Sequence, residues 1–154
     1  MKLTTTRFGD IEFPEGDIIV FPEGLPGFQS KRFILIPHRG EGEEEDGLVS
    51  WLQSVDEPQI ALMTIDPADL LLDYAPDVER ADLASLHPED GEDAFAVRVI
   101  IRAAEIPGKL RMNLLAPLFF NVSRRLGMQL AMVNSDYPVS ALWPPDTEAE
   151  APER

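Results

Sequence analysis

The apolar positions of this chain come in short runs, and proline or glycine stops each run before it reaches helical length. Residues 18–21 (IIVF) end at Pro22, and residues 32–36 (RFILI) end at Pro37. Residues 48–53 (LVSWLQ) and 60–65 (IALMTI) flank Asp56, Glu57 and Pro58, which read as a connecting turn. Phe95–Ala103 (FAVRVIIRA) is rich in β-branched residues and alternates. Arg98, Ile100 and Arg102 fall on one face of that strand, and Val97, Val99 and Ile101 on the other. Residues 109–115, 118–122 and 128–133 complete the set, with residues 124–126 before Gly127 closing a hairpin between the last two. Helix is expected only at residues 68–72 and 78–86, the second stopping before Pro88. About nine short strands at this spacing predict an all-β fold, mainly β with one or two short helices, built as a single closed or nearly closed β-barrel. Closure also removes the free strand edges that invite aggregation.

Within 48–53, Val49, Trp51 and Gln53 share a face, so Trp51 is expected to pack rather than to stack a ligand. Trp143 lies at the limit of the patterned region, where covering a barrel end and docking a partner are equally open readings. Residues 1–143 therefore read as one barrel domain; at 154 residues and 44% hydrophobic content the chain buries one core without metal or disulfide staples. Two segments stand outside the pattern. Residues 40–47 (GEGEEEDG) hold five acids and nothing apolar, which predicts a solvated loop. Residues 144–154 (PPDTEAEAPER) form an acidic, proline-rich tail expected to be disordered.

Charge sharpens this picture through its distribution. Residues 1–93 carry 22 acids against 6 bases, residues 94–135 carry six bases against Glu105, and the tail from 136 is acidic again. An acidic field of this kind, −15 overall, repels nucleic acid and steers basic partners. The basic third lacks the interleaved aromatic residues of a base-stacking platform, so no direct nucleic-acid binding is expected. With no cysteine, no signal-peptide pattern at the N-terminus and no apolar run of ~20 residues, a soluble cytoplasmic protein without membrane contact is the expectation.

Candidate chemistry is sparse. His38 and His87 lie far apart, each beside a proline, and give no metal-ligand spacing, so neither metal nor cofactor is expected. No nucleophile elbow and no phosphate-cradling glycine loop occur. Paired carboxylates remain the one catalytic alternative: Asp56, Asp66 and Asp73 each follow a strand-like run, and a hydrolase acting on carbohydrate would need two of them across one cleft. Against that, Asp66–Pro67 reads as ordinary turn chemistry, in which the carboxylate caps a nearby amide. No catalytic residue is therefore assigned, and a non-enzymatic binding protein is favoured.

Several ordered motifs point further. The opening RFGDIEFPEGDIIVFPEGLPGFQSKRFILI carries Phe8–Gly9 and then Phe21, Gly24, Leu25, Gly27 and Phe28. WLQSVDEPQIALMTIDP follows, then Asp73–Tyr74, then NLLAP at 113–117, Asn121, Gly127 with Gln129, and Tyr137. In this order, across residues 7 to about 140, the chain resembles the flagellar assembly factor FliW family. It departs from the family pattern in the length and acidity of residues 43–46, in PVSALW after Tyr137, where a basic residue is more usual, and in the tail.

The resemblance implies a binding protein for two partners: CsrA, an RNA-binding translational repressor, and flagellin. Flagellin occupies the FliW-like protein until it is secreted; the freed protein then captures CsrA, and flagellin translation resumes. CsrA must be basic where it grips RNA phosphates. On that reading Glu43, Glu44, Glu45 and Asp46 in the acidic loop, with Asp73 and Asp77, are the acids expected to meet it. A barrel end bearing Leu25, Phe28 and Leu115 is the expected seat for the apolar terminal helices of flagellin. Asn113 and Gln129, polar residues inside apolar motifs, are expected to satisfy buried backbone groups at a strand irregularity.

Overall fold

The nine-residue run Phe95–Ala103 forms one long strand, and the rest of the fold is arranged around it. In the computed structural model, which describes residues 1–38, 47–70, 73–88, 91 and 93–145, the strands in chain order are β1 (Lys2–Thr5), β2 (Gly9–Glu12), β3 (Ile19–Val20), β4 (Arg32–Pro37), β5 (Val49–Ser54), β6 (Ala61–Ile65), β7 (Phe95–Ala103), β8 (Leu110–Met112), β9 (Leu118–Asn121), β10 (Leu126–Gln129) and β11 (Ala141–Trp143). β7 is long enough to take three partners. Residues 95–98 pair with β9, residues 99–101 with β6, and residues 101–103 with β8. The hydrogen-bonded order β7–β6–β5–β4–β3–β10–β9 then returns to β7, which closes a ring, while β8 and β11 extend from it as a flap. The ring is antiparallel except where Leu126 of β10 lies parallel to Val20 of β3. β1 and β2 form a separate hairpin.

Side-chain parity sorts the apolar residues into an interior and three outer clusters. Phe21, Phe33, Leu52, Leu118 and Phe120 fill the ring, with Leu35, Leu62 and Ile100 beside them. Successive residues of β4 point the other way: Ile34 and Ile36 pack under the N-terminal hairpin with Phe13 and Val55. Leu86, Phe119 and Met128 form an outer cluster beneath residues 78–86. Val99 and Ile101 of β7 join Ile65, Met112, Leu114, Met132 and Tyr137 on the remaining face. Trp51 is 8% exposed and belongs to the outer surface of β5. Phe8 meets its ring edge-on at 5.8 Å and the Arg7 guanidinium sits 4.2 Å from its centroid, so the expected packing role stands, with the first hairpin as the cover. Trp143 packs half-buried on the flap cluster.

Two polar devices lock the barrel. At the β5–β6 turn the Ser54 hydroxyl accepts from the amides of Asp56 and Glu57 at 3.1 and 2.8 Å and donates to Ser30 Oγ at 2.6 Å. Ser30 in turn donates to the Glu57 carboxylate, and Arg32 pairs with Asp56 at 2.5 Å. At the β9–β10 turn Asn121, fully buried, donates to Leu86 O and to Asp93 Oδ2, both at 2.8 Å, and accepts from the Arg124 amide. Gly127 faces the interior: a Cβ there would stand 2.6 Å from the Phe21 ring, so the site excludes every other residue unless that ring moves.

Several expectations need correction. The helical segments are 3₁₀ turns, at Pro67–Asp69 and Arg80–Leu86, with an unforeseen third at Glu15–Asp17. The Arg80–Leu86 segment ends on His87 in the left-handed region, just before Pro88. Strands β1, β2 and β11 were not expected, and the final barrel strand runs from 126 to 129 rather than from 128 to 133. The acidic residues Glu43, Glu44, Glu45 and Asp46, and residues 146–154 of the tail, lie outside the described residues.

A candidate partner-binding groove

Four of the sequence motifs come together on one side of the barrel. The backbone of residues 130–138 runs beside NLLAP: Met132 N donates to Leu115 O at 2.8 Å, Leu130 N to Pro117 O at 3.2 Å, and the Leu114 and Leu115 amides both donate to Pro138 O. Asn113 Oδ1 accepts from Ala116 N at 3.0 Å, and Gln129 Nε2 donates to Ala116 O at 3.0 Å. The two amide side chains thus hold both polar groups of one residue where the strand breaks at Pro117, the role expected of them. Tyr74 and Tyr137 meet edge-to-face at 4.7 Å. Tyr74 Oη donates to Leu114 O at 2.6 Å, and Tyr137 Oη accepts from Ala75 N at 3.2 Å. Burial pushes the Tyr74 hydroxyl above its ordinary pKa, with the neighbouring Tyr137 adding to the shift, so it stays a donor at any physiological pH.

The tyrosine pair fixes residues 75–82 opposite residues 130–137, and the space between them is a groove of about 480 Å³. Met132 and Tyr137 form a buried floor. Asp77, Asp82 and Asp136 line it and are exposed, and Val133, 79% exposed, stands on its rim. Asp82 accepts from the Glu79 amide at 3.3 Å. Asp77 and Asp136 form no ion pair among the described residues. An acidic trough with an apolar lip suits a basic surface that also offers an apolar side chain.

Of the residues expected to bind partners, Asp77 lines this groove, while Asp73 is exposed and is not among the lining residues. Asp82, Asp136 and Val133 were not anticipated. Their only sequence signal is proximity to the two tyrosine motifs, since residues 82 and 136 are 54 positions apart. The expected apolar seat is not assembled. Leu25 is 3% exposed and belongs to the barrel interior, whereas Phe28 is exposed and Leu115, half-buried, is bonded to the Pro138 segment. Leu25 is drawn inward because the PEGLPG loop turns back through Gly24 and Gly27, both at positive φ.

Two carboxylates of the hydrolase alternative are far apart. Asp56 and Asp66 sit at opposite ends of β6, roughly 17 Å at ~3.4 Å per residue, too far for a glycosidase pair. Asp56 is held by Arg32, whose guanidinium bond lowers its pKa. Asp66 caps the Pro67 turn by accepting from Ala68 N at 3.0 Å. Among the described residues no group of three or more His, Cys, Asp or Glu is placed to hold a metal ion, and no helix is long and apolar enough to cross a membrane.

Comparison with known proteins places the chain as a whole. The model of the FliW protein family matches residues 2–142. The flagellar assembly factor FliW of Magnetococcus marinus is 40% identical over 131 residues, covering 84% of this chain and 78% of that protein. Its counterpart in Clostridium kluyveri is 34% identical over 140 residues, covering 90% and 92%. A crystal structure of the flagellar assembly factor FliW superposes with a TM-score of 0.78 at 34% identity, covering 91% of this chain and 94% of that one.

Proposed function

Since the chain belongs to the FliW family, whose relatives are named flagellar assembly factors, we propose that it works by exchanging protein partners in the cytoplasm, capturing the basic translational repressor CsrA through the acidic groove and giving it up when flagellin binds. The observation that carries this reading is the groove itself: Asp77, Asp82 and Asp136 converge on an open trough with Val133 at its lip. CsrA binds RNA phosphates and so presents lysine and arginine. Charge complementarity of that kind raises association rates and selects partners. No bond is made or broken; the output is the concentration of free CsrA, and through it the translation of flagellin mRNA. Capture by the rigid groove orders little chain, because its walls are already tied to NLLAP and to the tyrosine pair.

Calorimetric titration of this protein with CsrA from its own organism, repeated with flagellin already bound, tests the proposal. The expected result is saturable binding that flagellin suppresses and that weakens as salt is raised. Binding to flagellin without binding to CsrA would leave a flagellin chaperone; binding to neither would remove partner exchange altogether.

A further inference from the structure

No base lines the acidic groove, and three of the six bases between residues 94 and 135 gather instead at the flap. Register brings them together. Arg102 of β7 stands opposite Arg111 of β8, which in turn stands opposite Leu142 of β11. The neighbouring row, Ile101, Met112 and Ala141, packs into the core, so the arginine row faces the other way. Lys109 shares the parity of Arg111, since Ala104 N donates to Lys109 O at 2.9 Å and carries the ladder on.

Like charges directly opposite each other on paired strands destabilise the pairing. Glu105 offsets one of them: its carboxylate accepts from Arg111 Nη2 and, at 3.4 Å, from Arg111 Nε. Among the described residues it is the carboxylate that acts on Arg111. Arg102 is exposed and forms no ion pair among the described residues. Its terminal nitrogens reach Ala103 O and Ser140 Oγ, both at 3.5 Å. The face thus sets Arg102, Arg111 and Lys109 against Glu105, on a chain whose net charge is −15.

The chain itself supplies the complement. β11 ends at Trp143, opposite Leu110 and so one residue from Lys109. In the segment 146–153 that follows, the charged residues are Asp146, Glu148, Glu150 and Glu153. Asp146, Glu148 and Glu150 alternate, the spacing that turns side chains of an extended segment to one side, and Lys109 and Arg111 alternate in the same way. Arg102 lies two strand spacings, about 10 Å, from Leu142, while residues 144–148 span up to about 17 Å when extended. We infer that the basic face of the flap is a docking surface for the chain's own acidic tail, with Asp146, Glu148 and Glu150 meeting Arg102, Arg111 and Lys109. Exposed ion pairs are individually weak. A tethered partner compensates, because its effective concentration is on the order of millimolar. An acidic ligand from elsewhere must displace the tail to reach the flap. The inference stands apart from partner exchange, and neither CsrA nor flagellin enters its test.

The chain has no cysteine, so a single nitroxide label at Ala151→Cys reports on the tail of the ¹⁵N-labelled full chain. The expected result at low salt is broadening of the Arg102, Arg111 and Leu142 amides. Neutralising the tail (Asp146→Asn, Glu148→Gln and Glu150→Gln together) is expected to lower the docked population about fivefold, as losing several exposed ion pairs does. Salt at roughly 1 M, which cuts the screening length to about 3 Å, is expected to act in the same direction. Arg102→Gln is expected to lower it about twofold, and the tail variant decides if Arg102→Gln does not fold. Equal broadening with the charged and the neutral tail would mean a tethered chain without a seat, and would overturn the inference. So would broadening centred away from the flap, or no change in a folded Arg102→Gln protein. Broadening of unmodified ¹⁵N-labelled protein by added nitroxide-labelled protein would overturn the intramolecular contact, in favour of a second copy.

Discussion

The carboxylates at the two hairpin turns, Asp56, Glu57 and Asp93, and those along the groove, Asp77, Asp82 and Asp136, are the same chemistry in opposite circumstances. Each turn acid accepts from groups that the barrel needs satisfied: Arg32 for Asp56, Ser30 for Glu57, Asn121 and Arg124 for Asp93. Hydrogen bonds from Asn121 and Arg124 hold the Asp93 carboxyl below its ordinary value. Groove acids face solvent instead, and among the described residues Asp82 accepts from the Glu79 amide. An acidic composition therefore divides into charge engaged in the fold and charge left facing solvent. Formal charge alone does not tell them apart.

Breaking the first group tests the division on stability. Asn121→Ala leaves Leu86 O and the Arg124 amide without their partner and is expected to cost about 3 kcal/mol, read as a lower denaturation midpoint at unchanged slope. Ser54→Ala strips an acceptor from two amides and a partner from Ser30, and is expected to cost about 2 kcal/mol by the same measurement.

Acid provides a third break. Asp56, Asp93 and Glu105, the last held down to about 2 by its bond from Arg111, all titrate lower in the folded chain than in the unfolded one. Their contribution is complete above the ordinary carboxylate range, and it disappears as pH falls through the folded values toward about 2. Unfolding midpoints at successively lower pH are expected to fall across that window and to stay level above it. The smallest effect is expected at the Arg32–Asp56 pair, whose side chains are 46% and 34% exposed: Asp56→Asn costs under about 1 kcal/mol.

How much of this was legible depends on what surrounds each segment. β7 was readable to the residue, because nine positions without glycine or proline alternate cleanly. β10 was displaced because Gly127 reads as a turn residue. Its place inside the strand is dictated by the Phe21 ring, which is more than one hundred positions away. β1, β2 and β11 are short, and nothing local distinguishes their mixed polar and apolar residues from a loop. Period-two alternation is also blurred wherever both faces are covered, as in β9, where all four residues are buried. Trp51 was correctly placed by parity, but its cover of Arg7 and Phe8 comes from the separate hairpin. The motifs around the groove were visible one by one. Their convergence was not, because it depends on two tyrosines that meet across more than sixty residues of chain.

The most direct test of the division is to titrate CsrA into the wild-type protein and two charge-reversal variants, one at the groove (Asp77→Lys with Asp136→Lys) and one at the turn (Asp56→Lys), after confirming that both are folded. The account predicts that the groove variant binds at least about tenfold more weakly, while the turn variant keeps its affinity. Unchanged affinity in the groove variant, or a loss confined to the turn variant, would contradict it.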